Sequence, residues 1–94
     1  MSKRFDLGQI VATAGVHAMK EQDSEFAEFV SKSFMRYIVG DWGDTCEVDA
    51  KQNDESVENG ERILAVYKFN EGISIWIITE WDRSATTILF PSEY

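Results

Sequence analysis

The sequence predicts a two-layer α+β domain: an antiparallel sheet of three C-terminal meander strands plus an N-terminal strand, packed by one amphipathic helix and a shorter acidic helix. Three observations predict it. Phe26, Val30, Phe34 and Ile38 recur at four-residue spacing, which lines four large apolar groups along one helix stripe. After Gly60 the pattern changes to short runs rich in Ile, Val, Tyr, Trp and Phe, separated by turn residues. Between these two regions lies a segment in which nearly every other residue is charged or an amide.

Each element follows in chain order. Phe5 to Ala12 reads as a first strand that ends at Thr13-Ala14-Gly15, where Thr13 caps a short helix over Val16 to Glu21. Asp23 and Ser24 both suit the start of the amphipathic helix, which runs to Val39 and stops at Gly40, with Arg36 placed well against the helix dipole. Gly40-Asp41-Trp42-Gly43-Asp44 is a tight loop, and Asp44 with Glu47 three residues later has capping-box spacing for a third helix. Cys46, Ala50, Asn53 and Val57 form a thin, weakly apolar stripe on that helix, which Asn59-Gly60 closes. Strands follow at Arg62 to Phe69 and Ile73 to Glu80, joined by Asn70-Glu71-Gly72 with Gly72 in the left-handed place. Trp81-Asp82-Arg83-Ser84 turns into a last strand, Ala85 to Phe90, before Pro91. Ile63, Ala65, Tyr67 and Phe69 share one face with Ile73, Ile75, Ile77 and Thr79, whereas Leu64, Val66, Trp76 and Ile78 make the other face too apolar to be left wholly bare.

With 94 residues there is room for one domain, 1–94, and not for a second. The single cysteine, Cys46, excludes an intramolecular disulfide and fits a reducing, cytoplasmic setting. No export signal is legible at the start, and no apolar run approaches the ~20 residues of a membrane span. A net charge of −8 opposes direct binding to a phosphate backbone.

The inventory for catalysis is thin. His17 and Cys46 are the only histidine and the only thiol, which rules out a nitrogen- and sulfur-ligated zinc site within one chain and makes a Cys–His nucleophile pair a poor reading. No phosphate-binding glycine loop is present, so no nucleotide cofactor is expected, and Asp41, Asp44, Glu47 and Asp49 lack the spacing of a calcium loop. Glu80, Asp82 and Arg83 are the remaining candidates for acid–base work, provided that they converge in a pocket.

Charge is the strongest signal. Residues 41–61 hold Asp41, Asp44, Glu47, Asp49, Asp54, Glu55, Glu58 and Glu61 against Lys51 alone, which accounts for seven of the eight net negative charges. Such a segment is either a solvated helix that adds solubility or a recognition surface for a basic partner, with Trp42 as an anchoring aromatic or as a side chain closing the core.

The segments Phe5 to Thr13, Gly40-Asp41-Trp42-Gly43-Asp44 and Ile77 to Tyr94 resemble a family of short acidic proteins carried on bacterial plasmids, phages and integrative elements. Some of its members are labelled as modification subunits of type I restriction enzymes, yet this chain has one proline, Pro91, and no Asn-Pro-Pro-aromatic motif for DNA methylation. The resemblance implies a mobile-element setting and supplies no catalytic residues. The expectation is therefore a non-enzymatic accessory protein that uses Asp41, Trp42, Asp44, Glu47, Asp49, Asp54, Glu55, Glu58 and Glu61 against a basic protein surface, in a DNA-mimic-like or anti-defence role. The alternative is a self-associating module, a homodimer formed through the Trp76 and Ile78 face or through an edge strand.

Overall fold

The computed structural model describes residues 3–94; Met1 and Ser2, the first residues of the stretch read above for an export signal, lie outside the described residues. The order is β1 (Gln9–Ala12), α1 (Ala14–Gln22), α2 (Ser24–Ile38), α3 (Glu47–Asn59), β2 (Ile63–Lys68), β3 (Ser74–Thr79), β4 (Ala85–Leu89) and a closing 3-10 turn, Pro91–Glu93. No helix among the described residues is long and apolar enough to cross a membrane.

The α+β class holds, with one refinement. The sheet order is β1-β4-β3-β2; the three C-terminal strands form the antiparallel meander, but β1 joins β4 in parallel, so the sheet is mixed. β1 is also shorter than Phe5 to Ala12. Phe5 and Leu7 are buried before the strand begins, and Gly8, at φ 64°, turns the chain so closely over Arg83 and Ser84 that a Cβ would sit 2.3 Å from the Arg83 carbonyl oxygen.

Caps explain where the helices start. Thr13 Oγ1 accepts from the Val16 amide, and Asp23 Oδ1 accepts from the Glu25 and Phe26 amides while the Asp23 amide closes α1 on Met19. The buried line of α2 is Phe26, Val30, Ser33 and Tyr37, so the expected stripe is corrected: Phe34 and Ile38 are only half-buried. Strict four-residue spacing drifts around a helix of 3.6 residues per turn, and an alternating step of four, three and four stays over the sheet. Gly72 is not left-handed, as the positive-φ glycines are Gly8, Gly40, Gly43 and Gly60; the Asn70 side chain instead accepts from the Gly72 amide and shapes the turn.

The core lies on one face. Ile63, Ala65, Tyr67, Ile75, Ile77 and Ile88 form a single cluster with Val16 of α1 and Phe26, Val30 and Tyr37 of α2. A buried hydroxyl chain crosses it: Tyr37 Oη to Thr79 Oγ1 at 2.6 Å, Thr79 Oγ1 to Thr86 Oγ1 at 2.8 Å, and Thr86 Oγ1 to the Leu7 carbonyl at 2.7 Å. A carbonyl only accepts, so Thr86 donates to Leu7, Thr79 to Thr86 and Tyr37 to Thr79, and three buried hydroxyls are satisfied in one direction.

The opposite face carries Leu64, Val66, Trp76, Ile78, Thr87 and Leu89 by register. The apolar helix residues that join the core pack against the first face, so the helices leave this one open. The chain's own end covers part of it: the Tyr94 ring lies 5.4 Å from Trp76, under the Arg62 guanidinium at 5.1 Å, and Ile78 and Leu89 are buried.

Candidate functional site

The acidic segment is built onto the free edge of β2. The outward backbone groups of an edge strand are unpaired unless something covers them, and here five are covered. The Leu64 amide donates to Asn53 Oδ1 (3.2 Å) and the Leu64 carbonyl accepts from Asn53 Nδ2 (2.8 Å). The Val66 amide donates to Thr45 Oγ1, its carbonyl accepts from the Asp44 amide, and the Lys68 amide donates to Asp44 Oδ2, each at 2.8 Å. Loop 41–45 and Asn53 thus take the place of a fifth strand.

That use overturns the expected cap of α3. Asp44 faces Lys68, the N-cap is Cys46 without a side-chain bond, and the helix begins at Glu47. Cys46 is exposed rather than a packing residue, and the buried residues of the helix are Asn53 and Ser56, flanked by Ala50 and Val57. Asn53 was legible in sequence as the polar member of the stripe Cys46, Ala50, Asn53, Val57; its position there marks a group that must find buried partners.

Four of the nine expected partner-binding residues have internal work. Asp41 takes a two-pronged contact from Arg36 (Nε 2.8 Å, Nη2 3.2 Å) and accepts from the Gly43 amide; the Arg36 hydrogen bond holds its carboxyl below the usual aspartate range. Trp42 is 6% exposed, wedged against Phe5 and Tyr37, and its indole N–H donates to Asp54 Oδ1 at 2.9 Å, with Arg4 Nη1 3.6 Å from the same oxygen. Gly43 passes directly over the Tyr67 ring, whose hydroxyl donates to the Asp41 carbonyl at 2.7 Å. Burial of that phenol raises its pKa, as it does for Tyr37. Asp44 completes the edge.

The other five, Glu47, Asp49, Glu55, Glu58 and Glu61, are exposed, and among the described residues none is within ion-pair distance of a lysine or arginine. At 100° per residue, Glu47, Lys51, Asp54, Glu55 and Glu58 fall on the outward side of α3, and Val48, 77% exposed, stands beside them. Asp49 lies on the flank towards Arg62, and Glu61 accepts a 3.4 Å bond from Gln52. The structure therefore separates the segment into a capping half and an outward acidic ridge.

Sequence reasoning missed the part played by Arg83. The residue sits at φ 60°, and its guanidinium donates to the Ser56, Glu61 and Glu80 carbonyls at 2.9, 2.7 and 3.1 Å. The last turn of α3 contains no basic residue of its own, so Arg83 brings the cation that its dipole favours. These contacts are to backbone oxygens, while Asp82 is exposed and accepts from the Ser84 amide, so the three groups named for acid–base work do not face one another across a pocket. Among the described residues no group of three or more His, Cys, Asp or Glu side chains is placed to hold a metal ion. His17 pairs with Glu21 on the same helix at 2.6 Å. Comparison with protein-family models, with curated proteins and with solved structures finds no match for this chain.

Proposed function

We propose that the protein is a non-enzymatic binding factor that presents the outward ridge of α3 to a basic protein surface. The observation that carries this reading is the ridge itself: Glu47, Glu55 and Glu58 have no cationic partner among the described residues, yet the helix bearing them is fastened at Asn53 and Arg83. Carboxylates held on a fixed helix form a pre-ordered surface, which reduces the entropy lost on association. The set that lacks an internal ion pair, indole bond or edge-strand bond is narrower than the whole segment: Glu47, Asp49, Glu55, Glu58 and Glu61, with Val48 as an apolar contact in their midst.

From Glu47 to Glu58 the helix rises about 16 Å, a length in which duplex DNA presents about 10 phosphates. Five carboxylates against Lys51 stand in that span, roughly half the density, so the ridge suits a basic patch on a protein, a nucleic-acid-binding groove among them. A place in a plasmid or phage, as the sequence resemblance implies, gives such a partner the character of a host defence or DNA-processing protein.

The test is affinity capture from the native host with the wild type and with Glu47→Lys, Glu55→Lys and Glu58→Lys combined. We expect the partner to be lost with the triple variant, and its affinity for the wild type to fall as added NaCl shortens the screening length below the ~8 to 10 Å of physiological salt. Capture that is indifferent to both would end the proposal.

A further inference from the structure

The two edges of the sheet are treated differently, and the difference is informative. Five outward groups of β2 are capped, whereas β1 forms the other edge with no strand beyond it among the described residues. The Gln9 and Thr13 amides donate inward to the Ser84 and Ile88 carbonyls. Backbone groups alternate along a strand, so the amides and carbonyls of Ile10 and Ala12 point outward. The strand has no charge, no proline and no bulge to blunt it. Ile10 is 53% exposed, Val11 39% and Met35 51%, and Ile10, Phe34 and Met35, with Lys20 of α1 as the one charged group, line an open groove of about 320 Å³ beside β1.

From this edge we infer that a second copy of the chain pairs with the first through β1, antiparallel and centred on Val11, which continues the two sheets into one of eight strands. Centred there, each Ile10 faces Ala12 of the other copy, and the two pairs form four backbone hydrogen bonds that leave no outward group unmet. The fit is self-complementary in side chains too: bulky Ile10 meets small Ala12 on the helix-covered face, and Val11 meets Val11 on the open face. A two-fold axis needs this property and an unrelated extended peptide does not supply it by default.

Charge points to the same occupant. Self-association of a −8 protein is opposed where the charge is concentrated, and the acidic segment sits at β2, the strand farthest from β1. In the eight-strand sheet the two β2 strands are seven spacings apart, about 34 Å, which is about four Debye lengths at physiological salt. A four-residue edge with Met35 and Phe34 falls short of the ~800 Å² per partner of a standard interface, so the dimer is weak and concentration-dependent.

The experiment uses the full chain. Sedimentation velocity between about 10 and 500 µM should show monomer passing to dimer. Val11→Lys, which sets two like charges opposite each other, should weaken it at least about tenfold while the circular dichroism and melting temperature stay native. In a Cys46→Ser background, Val11→Cys should cross-link under mild oxidation, since directly opposed Cα atoms of a non-hydrogen-bonded pair lie ~4.5 Å apart, and Gln9→Cys should not. A monomer at 500 µM, a dimer untouched by Val11→Lys, or cross-linking as ready at position 9 as at 11 would each overturn the inference. The dimer is independent of the α3 ridge, and added NaCl should leave it intact.

Discussion

At the residue scale, single polar side chains decide more than the charge total does. Asn53 satisfies both backbone groups of Leu64. Asn53→Leu is expected to destabilise the fold by about 2 to 3 kcal/mol in urea unfolding, the cost of two lost hydrogen bonds and their unpaired partners. The single change Glu55→Lys on the same helix should stay within about 0.5 kcal/mol. Tyr37 gives a pH test. Burial raises its folded pKa above the unfolded value of 10.0, so its contribution is full below pH 10 and is lost as pH rises through and beyond the ordinary tyrosine range. Tyr37→Phe should cost about 1 kcal/mol at neutral pH through the bond to Thr79, and should flatten the alkaline fall in stability, read as urea midpoints against pH. Asp41 acts at the other end: its folded pKa is lowered by Arg36, so its contribution is present above the ordinary aspartate pKa and is lost as pH falls through the folded value. Asp41→Asn should remove that acid dependence.

At the scale of elements, the legible parts of the sequence were those set by local chemistry. The caps at Thr13 and Asp23, the closing Gly60 and the alternation Ile63, Ala65, Tyr67 are decided by residues within one turn or one strand of each other. What failed was decided at a distance. Asp44 has the spacing of a helix cap, but the uncapped amide of Lys68, 24 residues away, competes for the same carboxylate and wins it. Phe34 extends the four-residue spacing of α2, yet that spacing drifts off the sheet, and the core position goes to Tyr37, whose hydroxyl finds Thr79 42 residues on. Arg83 was read as a possible catalytic group from its acidic neighbours, while its partners are carbonyls at the end of α3. The candidate surface shows the same division: its charge was evident in composition, but which half faces outward was fixed by pairing across the sheet edge. Arg83→Met tests this element directly. Its loss should free the last turn of α3 and cost about 2 kcal/mol, with faster hydrogen exchange at Gly60 and Glu61.

At the scale of the whole molecule, the charge, the edges and the faces form one arrangement: negative groups over β2, an uncharged edge at β1, and an open apolar face between them part-covered by Tyr94. Net repulsion in a −8 molecule predicts that moderate NaCl raises the melting temperature, and that the triple lysine variant of α3 removes most of this dependence. The pairing of β1 with β4 joins residues 9–12 to residues 85–88. A ribosome releases the first of these strands long before the second exists, so helices can form early, but the sheet acquires its fourth member only after nearly all of the described chain has been synthesised. Completion of the sheet is then a late event that needs one long loop closure, and a nascent chain stalled before Ala85 would carry Ile10 and Val11 without their native neighbour, a natural substrate for chaperones and proteases.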